Sequence, residues 1–174
     1  PIYNPLNKNE IIKKSKTNIK NYFKNKNCLK IINIGRLTPQ KDQITLIKSL
    51  RLLKKNNIKF EALIIGKGHL KHELINKIKE NRLSKEINIL NFTNNPYPAL
   101  LQSDILILTS IYEGLPNVLL EAAVLKKFII STNCDTGPRE ILDNGKGGML
   151  FKIKDYKQLT KKIIYYLKNK KKLD

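Results

Sequence analysis

Tryptophan is absent from this sequence, methionine occurs once and cysteine only twice. The cysteines, Cys28 and Cys134, lie far apart and match no metal-ligand spacing, which predicts reduced thiols rather than a disulfide framework or a zinc site. No apolar run approaches the roughly 20 residues that a membrane-spanning helix needs. The first ten residues contain no signal-peptide core. We therefore expect a cytoplasmic protein, soluble or at most peripheral at the inner face of the membrane.

Acidic residues are also scarce, because 14 Asp and Glu stand against 34 Lys and Arg and leave a formal net charge of +20. All but four of the basic residues are lysine, and this usage, with frequent asparagine and isoleucine, is typical of an AT-rich coding sequence. A cationic surface attracts polyanions. The lysines are scattered, however, and the aromatic residues do not interleave with them as a base-stacking surface requires. We expect no specific nucleic-acid partner, and an anionic membrane surface stays open as a partner.

The length of 174 residues and the 41% hydrophobic content suffice for one domain with a core. Residues 1–28 are polar and lysine-rich, with a turn at Asn4-Pro5 and a weak helical stretch from Asn9 to about Phe23. They are interpreted as a linker or lead-in segment rather than core. From residue 29 to residue 174, short β-branched runs alternate with amphipathic stretches of about 10 to 15 residues, which predicts a single α/β domain.

Strands are predicted at about 30–35, 60–65, 86–90, 104–109, 128–131 and 148–151, and helices at about 42–55, 69–81, 96–102, 116–126, 137–142 and 155–170. Central strands that are apolar at successive positions, such as residues 105–108, must be covered on both faces. The predicted fold is therefore a doubly wound α/β fold, with a mostly parallel sheet flanked by helices. In such sheets ligands bind beyond the carboxyl ends of the strands, which directs attention to the loops after residues 35, 66, 91 and 109.

The loop after the first predicted strand is GRLTPQKD. Gly35 ends the strand, and Arg36 and Lys41 lie five residues apart before a helix. Two cations next to a helix N-terminus suit a diphosphate, since a guanidinium can grip two oxygens and an ammonium supplies a mobile point charge. A solvated turn in which Asp42 only begins the helix fits the same residues, and this loop alone does not decide between the two.

The loop after the second strand, Gly66-Lys67-Gly68, lacks the third glycine of the dinucleotide fingerprint. It is compatible with a tight turn that binds no ligand. A nucleotide-dependent dehydrogenase is disfavoured, because the loop after the first strand lacks that fingerprint too.

The loop after the fourth strand is the most informative, and it reads SIYEGLPNVLLEA. Glu113 and Glu121 are separated by seven residues and flank the predicted start of a helix, with Pro116 at the first helical position. Carboxylates accept hydrogen bonds from hydroxyls, whereas the free N–H groups at a helix start favour an anion. A nucleotide sugar has this order of hydroxyl, phosphate and hydroxyl. A helix-dipole partner and a solvated helix face remain open as alternatives for the two carboxylates.

The E-x7-E element within S-x-YEGLPNVLLEA resembles the retaining glycosyltransferases of family 4, whose two-domain architecture is the GT-B fold. IINIGRLTPQKD is similar to the first strand and phosphate-binding loop of that family's C-terminal domain, LIIGKGHLKHEL to its Gly-x-Gly turn, and NFTNNPYPALLQSDILILTS to the segment before the E-x7-E helix. STNCDTGPREIL and GKGGML are similar to the region that follows. The resemblance implies that residues 29–174 are the nucleotide-sugar-binding, Rossmann-like half of a GT-B fold.

The activity that the resemblance implies is transfer of a hexose or N-acetylhexosamine from a nucleotide diphosphate sugar, expected to be UDP-linked, to a hydroxyl acceptor in surface polysaccharide or glycolipid synthesis. Retention at the anomeric carbon is expected. Arg36 and Lys41 would neutralise the diphosphate, Glu113 would hold hydroxyls of the donor sugar, and Glu121 those of the ribose. The other donor-binding positions that the resemblance implies are Gly35, Gly114, Leu115, Asn117 and Val118.

Neither a cofactor nor a metal is expected, because no D-x-D element is present and the two cations suit the diphosphate. The resemblance implies one missing partner, the N-terminal acceptor-binding domain, which this sequence does not contain. A second hypothesis from another class is a non-catalytic nucleotide-sugar-binding remnant of a transferase. A third, a basic nucleic-acid-binding domain, would show strong salt dependence of duplex binding.

Overall fold

The apolar runs of the sequence form six parallel strands of one sheet in the computed structural model, which describes residues 6–17, 20–134 and 136–173. The strands are β1 (Leu29–Ile34), β2 (Phe60–Ile65), β3 (Ile87–Leu90), β4 (Ile105–Leu108), β5 (Phe128–Thr132) and β6 (Met149–Phe151). The helices are α1 (Lys8–Ser15), α2 (Gln43–Lys55), α3 (Lys71–Glu80), α4 (Tyr97–Gln102), α5 (Asn117–Val124), α6 (Pro138–Ile141) and α7 (Tyr156–Leu173). The predicted doubly wound fold is confirmed, and every strand begins and ends within one residue of its predicted bounds.

Successive side chains of the strands enter two separate core layers, which explains why the strands are apolar at consecutive positions. Ile31 of β1 packs in the layer formed with α2, α3 and α7. Its neighbour Ile32 packs in the layer formed with α1, α4 and α5. Ile105 and Leu106 of β4 divide between the two layers in the same way.

The strand order is β3-β2-β1-β4-β5-β6, so the order reverses between β1 and β4. The helix that follows β1 is α2 and the helix that follows β4 is α5, and they cover opposite faces of the sheet. The loops that lead into these helices therefore diverge. In doubly wound folds the crevice at this reversal is where ligands bind.

The backbone pairing of β1 with β4 is short and ends at Ile32 opposite Leu106, whereas β1 and β2 pair along their whole length. One residue further, Nδ2 of the buried Asn33 donates to the carbonyl oxygen of Ile107 at 2.8 Å. A side chain thus replaces the backbone ladder directly below the loops that lead into the crevice.

Part of the predicted lead-in segment lies in the core, which corrects the expectation that residues 1–28 stay outside it. Ile11 of α1 is 4% exposed and Phe23 is 7% exposed, and both pack in the layer of α4 and α5. Helix α1 ends at Ser15, earlier than predicted, because the asparagine-rich stretch that follows has low helix propensity. The boundary at residue 28 stays a prediction, and the Asn4-Pro5 turn lies outside the described residues.

The structure also bears on two features considered in the sequence, the cysteine thiols and membrane-spanning helices. Cys28 and Cys134 form no disulfide with each other. Cys134 is buried below the loop after β4, where its Sγ lies 3.4 Å from the carbonyl oxygen of Ser110. Among the described residues, no helix combines the length and the apolar character that crossing a bilayer requires.

Replacing Ile11 with alanine tests whether the lead-in helix belongs to the folded core. Removing a buried isoleucine from a packed layer costs about 2–5 kcal/mol of unfolding free energy. We therefore expect Ile11→Ala to lower the midpoint of urea unfolding followed by circular dichroism. Ile12 of the same helix is only half-buried, and Ile12→Ala is the matched control with a smaller loss. Equal losses for the two variants would show that α1 does not dock through Ile11.

Candidate functional site

A cleft of about 700 Å³ opens at the carboxyl ends of β1, β2 and β3, beside the start of α5. Five of the residues predicted for the site line it: Gly35, Arg36, Lys41, Asn117 and Glu121. Four others are not among the lining residues: Glu113, Gly114, Leu115 and Val118. The cleft lies where the sheet topology predicts a ligand. Another groove, of about 520 Å³ at the amino ends of the strands, contains none of the predicted residues.

Glu113 lies behind Lys41 and pairs with it. The Nζ of Lys41 forms an ion pair with Oε1 of Glu113, and the two side chains are 15% and 7% exposed. The Oγ of Ser110 donates to the same carboxylate oxygen at 2.5 Å. The predicted diphosphate cation and the predicted sugar-binding carboxylate are therefore partners of each other, which the sequence did not indicate.

Three further hydrogen bonds join the loop after β1 to the loop after β4. The Oγ1 of Thr109 donates to the carbonyl oxygen of Lys41 at 2.8 Å, and the amide of Ile111 donates to that of Gln40 at 2.8 Å. The side-chain amide of Gln40 donates to the carbonyl oxygen of Tyr112 at 3.0 Å. Because both backbones are tied, Lys41 is held beside Glu113 by more than the attraction of their charges.

Arg36 lies exposed at the rim of the cleft, and its Nη2 donates to Oε1 of Gln40 at 3.1 Å. The side chain of Gln43 donates to the carbonyl oxygen of Arg36 at 3.0 Å. Asp42 caps α2, since its Oδ1 accepts from the amide of Thr45 at 3.3 Å. The capping role expected of Asp42 as an alternative therefore exists together with two cations that line the cleft.

The glycines after β2 serve the packing of two loops against each other. A Cβ on Gly66 would lie 1.9 Å from the carbonyl oxygen of Gly35, and one on Gly68 would lie 2.2 Å from that of Leu37. The amide of Leu37 donates to the carbonyl oxygen of Lys67 at 2.9 Å. The close approach of the two backbones explains why this turn has glycine at both positions. Gly66 and Lys67 also line the cleft.

The loop that carries Glu113 is also fixed from the side of β5. Gly137 has a φ of +76°, and a Cβ there would lie 1.9 Å from the carbonyl oxygen of Gly114, so glycine is required on both counts. The Oγ1 of Thr136 donates to the carbonyl oxygen of Glu113 at 2.6 Å. A Cβ on Gly114 would meet no atom within 4 Å, so this side of the loop is open.

Helix α5 begins at Asn117, one residue later than predicted, because Pro116 has a ψ of 95° and is not yet helical. Glu121 is nevertheless the fifth residue of the helix and lines the cleft, as the spacing predicts. The side chain of Val118 packs against the second core layer. At that position only the backbone remains as a candidate ligand group.

Glu121 has a partner that sequence analysis did not find. The hydroxyl of Tyr97 in α4 donates to Oε1 of Glu121 at 3.2 Å. Burial raises the pKa of the Glu121 carboxyl, and the hydrogen bond from Tyr97 opposes that rise. The pKa of Tyr97 rises to about 12, first through burial and then through the charge and hydrogen bond of Glu121. No local pattern links the two residues, because they are 24 positions apart.

Phe92 and Lys67 complete the rim of the cleft and were also missed. The Phe92 ring is 53% exposed, and Nζ of Lys67 lies 4.9 Å from its centroid. Within the described ranges, no group of three or more His, Cys, Asp or Glu residues is arranged to hold a metal ion. The cleft thus combines cations and a carboxylate with an exposed aromatic ring, a set that suits a ligand with anionic, hydroxyl-bearing and planar parts.

Comparison with known proteins supplies the family. The model of the family described as glycosyl transferases group 1 matches residues 14–174. An uncharacterized glycosyltransferase of Methanocaldococcus jannaschii is 40% identical over 117 residues, which are 67% of this chain and 29% of that protein. The N-acetylgalactosamine-N,N'-diacetylbacillosaminyl-diphospho-undecaprenol 4-alpha-N-acetylgalactosaminyltransferase of Campylobacter jejuni is 32% identical over 123 residues, which are 71% of this chain and 33% of that protein.

Among solved structures, Anabaena Alr3699/HepE in complex with UDP-glucose matches with a TM-score of 0.77 and 22% sequence identity. The match covers 84% of this chain and 41% of that chain. It confirms the predicted fold, that of one Rossmann-like half of a GT-B glycosyltransferase. The chain spans 29% and 33% of the length of the two curated relatives described above.

Thermal unfolding of Glu121→Gln tests the cost of burying this carboxyl. A carboxyl whose pKa is raised in the folded state contributes stability at low pH that is lost as the pH rises through the folded pKa. The neutral amide removes that loss and can still accept from Tyr97. We expect Glu121→Gln to unfold at a higher temperature than the wild type at pH 7 and to show no such gain at pH 4.

The matched control is Glu73→Gln, which neutralises an exposed carboxylate on α3. It should leave the difference between pH 4 and pH 7 unchanged. A lower unfolding temperature for Glu121→Gln at pH 7 would mean that the ionised carboxylate stabilises the fold.

Proposed function

This chain belongs to the family of glycosyl transferases group 1, and we propose that it is the donor-binding half of a retaining hexosyltransferase. The reaction would move a hexose or N-acetylhexosamine from a nucleotide diphosphate sugar to a hydroxyl of a growing polysaccharide or glycolipid. One observation carries the proposal. At the crevice where the strand order reverses, the structure brings Arg36 and Lys41 together with Glu113 and Glu121.

Arg36 and Lys41 are proposed to bind the diphosphate. Both line the cleft, and the guanidinium of Arg36 has one described partner, Gln40, so its other N–H groups are available for phosphate oxygens. Negative charge grows on the diphosphate as the sugar–phosphate bond breaks. Cations held close to the diphosphate stabilise such charge as it develops.

The carboxylates are proposed to bind hydroxyls at the two ends of the donor. Oε1 of Glu113 accepts from Lys41 and Ser110, and no described residue donates to Oε2, which leaves that oxygen for a sugar hydroxyl. Glu121 in the cleft wall is proposed to hold the ribose hydroxyls, with Asn117 nearby. Gly35, Gly114, Leu115 and the backbone of Val118 complete the proposed donor-binding set.

A uridine base is proposed for the donor. The ring of Phe92 is exposed at the cleft rim and offers a planar surface of the kind on which bases stack. The Anabaena protein of the same fold is in complex with UDP-glucose. We propose that diphosphate binding needs no metal and no cofactor, because Arg36 and Lys41 supply the positive charge that a divalent ion would otherwise bring.

Catalysis is proposed to need a second domain that binds the acceptor, since the reacting hydroxyl must be held about 3–3.5 Å from the anomeric carbon in a cleft that excludes water. The residues described here line one side of such a cleft. The alternative is a nucleotide-sugar-binding remnant without activity. Sugar transfer after the chain is combined with an acceptor-binding domain would favour the enzyme, and donor binding without any transfer in that combination would favour the remnant.

We propose that the protein is cytoplasmic and that α7 binds the anionic inner face of the membrane. This 18-residue helix contains no acidic residue. Its exposed positions recur at helical spacing and lie on one side of the helix, a stripe formed by Lys157, Lys161, Tyr165, Lys168, Lys171 and Lys172. A straight row of lysines around an exposed tyrosine complements acidic lipid headgroups, to which each lysine near the surface adds about 1 kcal/mol.

Calorimetry with uridine nucleotides tests the diphosphate assignment. The chain should bind UDP equally well with and without EDTA. Arg36→Ala should weaken UDP binding about tenfold or more, because a hydrogen bond to a charged group contributes about 1.5–3 kcal/mol. Uridine binding should change little, and Arg51→Ala, which removes an exposed arginine of α2, is the control. Loss of UDP binding in EDTA, or equal losses for UDP and uridine, would contradict the assignment.

Sedimentation with lipid vesicles tests the lysine stripe of α7. Lys161→Glu combined with Lys168→Glu should reduce binding to phosphatidylglycerol vesicles at least about tenfold at low salt, and neither protein should bind phosphatidylcholine. Lys55→Glu combined with Lys79→Glu changes the net charge equally at exposed positions of α2 and α3. Equal effects of the two pairs would show that binding follows net charge and not the stripe.

A further inference from the structure

The ion pair between Lys41 and Glu113 conflicts with the proposed roles of both residues, since Lys41 is assigned to the diphosphate and Glu113 to the sugar. The aliphatic part of the Lys41 side chain lies against Gly35, and its Cδ is 3.5 Å from the position that a Cβ of residue 35 would occupy. Its ammonium nevertheless contacts Glu113, which does not line the cleft. The proposed function assigns this ammonium to the diphosphate. A bare diphosphate must therefore compete with Glu113 for Lys41.

Glu113 cannot easily follow the ammonium when it turns toward the diphosphate. Thr136 holds the backbone of Glu113, with Oγ1 2.6 Å from its carbonyl oxygen. Gly137 closes against the carbonyl oxygen of the next residue, Gly114. Lysine, in contrast, is a point charge on a flexible four-carbon stem. The backbone of Lys41 is held as well, by Thr109, so the longer and more flexible lysine side chain is the part of the pair that can turn.

Ser110 remains as the donor to Glu113 when Lys41 turns away. It is fully buried, and its Oγ donates to Oε1 of Glu113 at 2.5 Å. Its own backbone is held from β5, because Oγ1 of Thr132 donates to the Ser110 carbonyl oxygen at 2.7 Å. A nearly buried carboxylate that loses its counter-ion still needs hydrogen bonds. Ser110 supplies one on Oε1.

We propose that Lys41 is shared between Glu113 and the diphosphate, and that Ser110 is the positioning residue that keeps Glu113 ready for the sugar while Lys41 binds phosphate. The inference rests on the proposed function and explains how the site binds the nucleotide sugar more tightly than the nucleoside diphosphate that the reaction releases. With a nucleotide sugar, the sugar hydroxyls take the place of the ammonium on Glu113. With the bare nucleoside diphosphate nothing does, so Glu113 draws Lys41 back and the product leaves more easily.

The first test is the affinity for UDP measured by calorimetry. Glu113→Gln should strengthen UDP binding at least about threefold, since it frees Lys41 and removes a negative charge that competes for the same ammonium. Lys41→Ala should lower UDP affinity by a larger factor in the Glu113→Gln background than in the wild type, because the two residues are coupled. Weaker UDP binding by Glu113→Gln, or equal effects of Lys41→Ala in both backgrounds, would overturn the proposal.

The second test compares UDP with the nucleotide sugar bound most tightly among UDP-glucose, UDP-galactose and UDP-N-acetylgalactosamine. The wild type should prefer the nucleotide sugar, and Ser110→Ala should reduce that preference about tenfold. Ser110→Thr keeps the hydroxyl and should restore part of the preference. Ser49→Ala removes another fully buried serine hydroxyl, in α2, and should change neither affinity.

Thermal unfolding must show that each variant is folded, and Ser110→Ala carries the test if Glu113→Gln does not fold. Equal changes of UDP and UDP-sugar affinity in Ser110→Ala would overturn the role of Ser110. In that case intact UDP binding by the wild type, still sensitive to Arg36→Ala, would leave the proposed function standing. A wild-type chain that binds neither UDP nor any of the sugars would overturn both.

Discussion

A lysine and a glutamate from opposite sides of a topological reversal, paired with little access to water, are the constraint on which this site depends. Lys41 follows β1 and Glu113 follows β4, 72 positions apart in the chain. Burying two charges together costs solvation that their attraction repays only when the geometry is well held. The bonds from Thr109, Ile111 and Gln40 hold it, and each joins the same two loops. The two sides of the crevice are thus joined by contacts within the chain.

Glycine has two different uses around this pair. Gly66 and Gly137 are needed because another backbone passes within 1.9 Å of where their Cβ would be, so they allow the loops to close on one another. Gly114 has open space around it and no such neighbour. A residue without a side chain in open space leaves room for close approach to the loop of Glu113. The first use is structural, and the second matches the proposed donor site.

The partly buried carboxyl of Glu121 lowers the stability of the fold at neutral pH. Burial raises the pKa of this carboxyl, so ionisation at neutral pH works against folding. Only the Tyr97 hydroxyl compensates for it among the described residues. A neutral residue would suit the packing of α5 better. The carboxylate is understandable if it accepts hydrogen bonds from a ligand, which is the role proposed for it.

The local pattern of the sequence determined the six strands, the helices between them and the edge of the sheet at which to look, since these follow from period and from apolar character at short range. It also placed Arg36, Lys41, Glu113 and Glu121 near one another, because parallel strands end at one edge. The remaining contacts could not be predicted, because the residues that form them are far apart in the chain. The pairing of Lys41 with Glu113, the docking of Ile11 and the contact of Tyr97 with Glu121 join separate elements. Only tertiary packing decided them, because no short-range pattern records which side chains meet across a sheet.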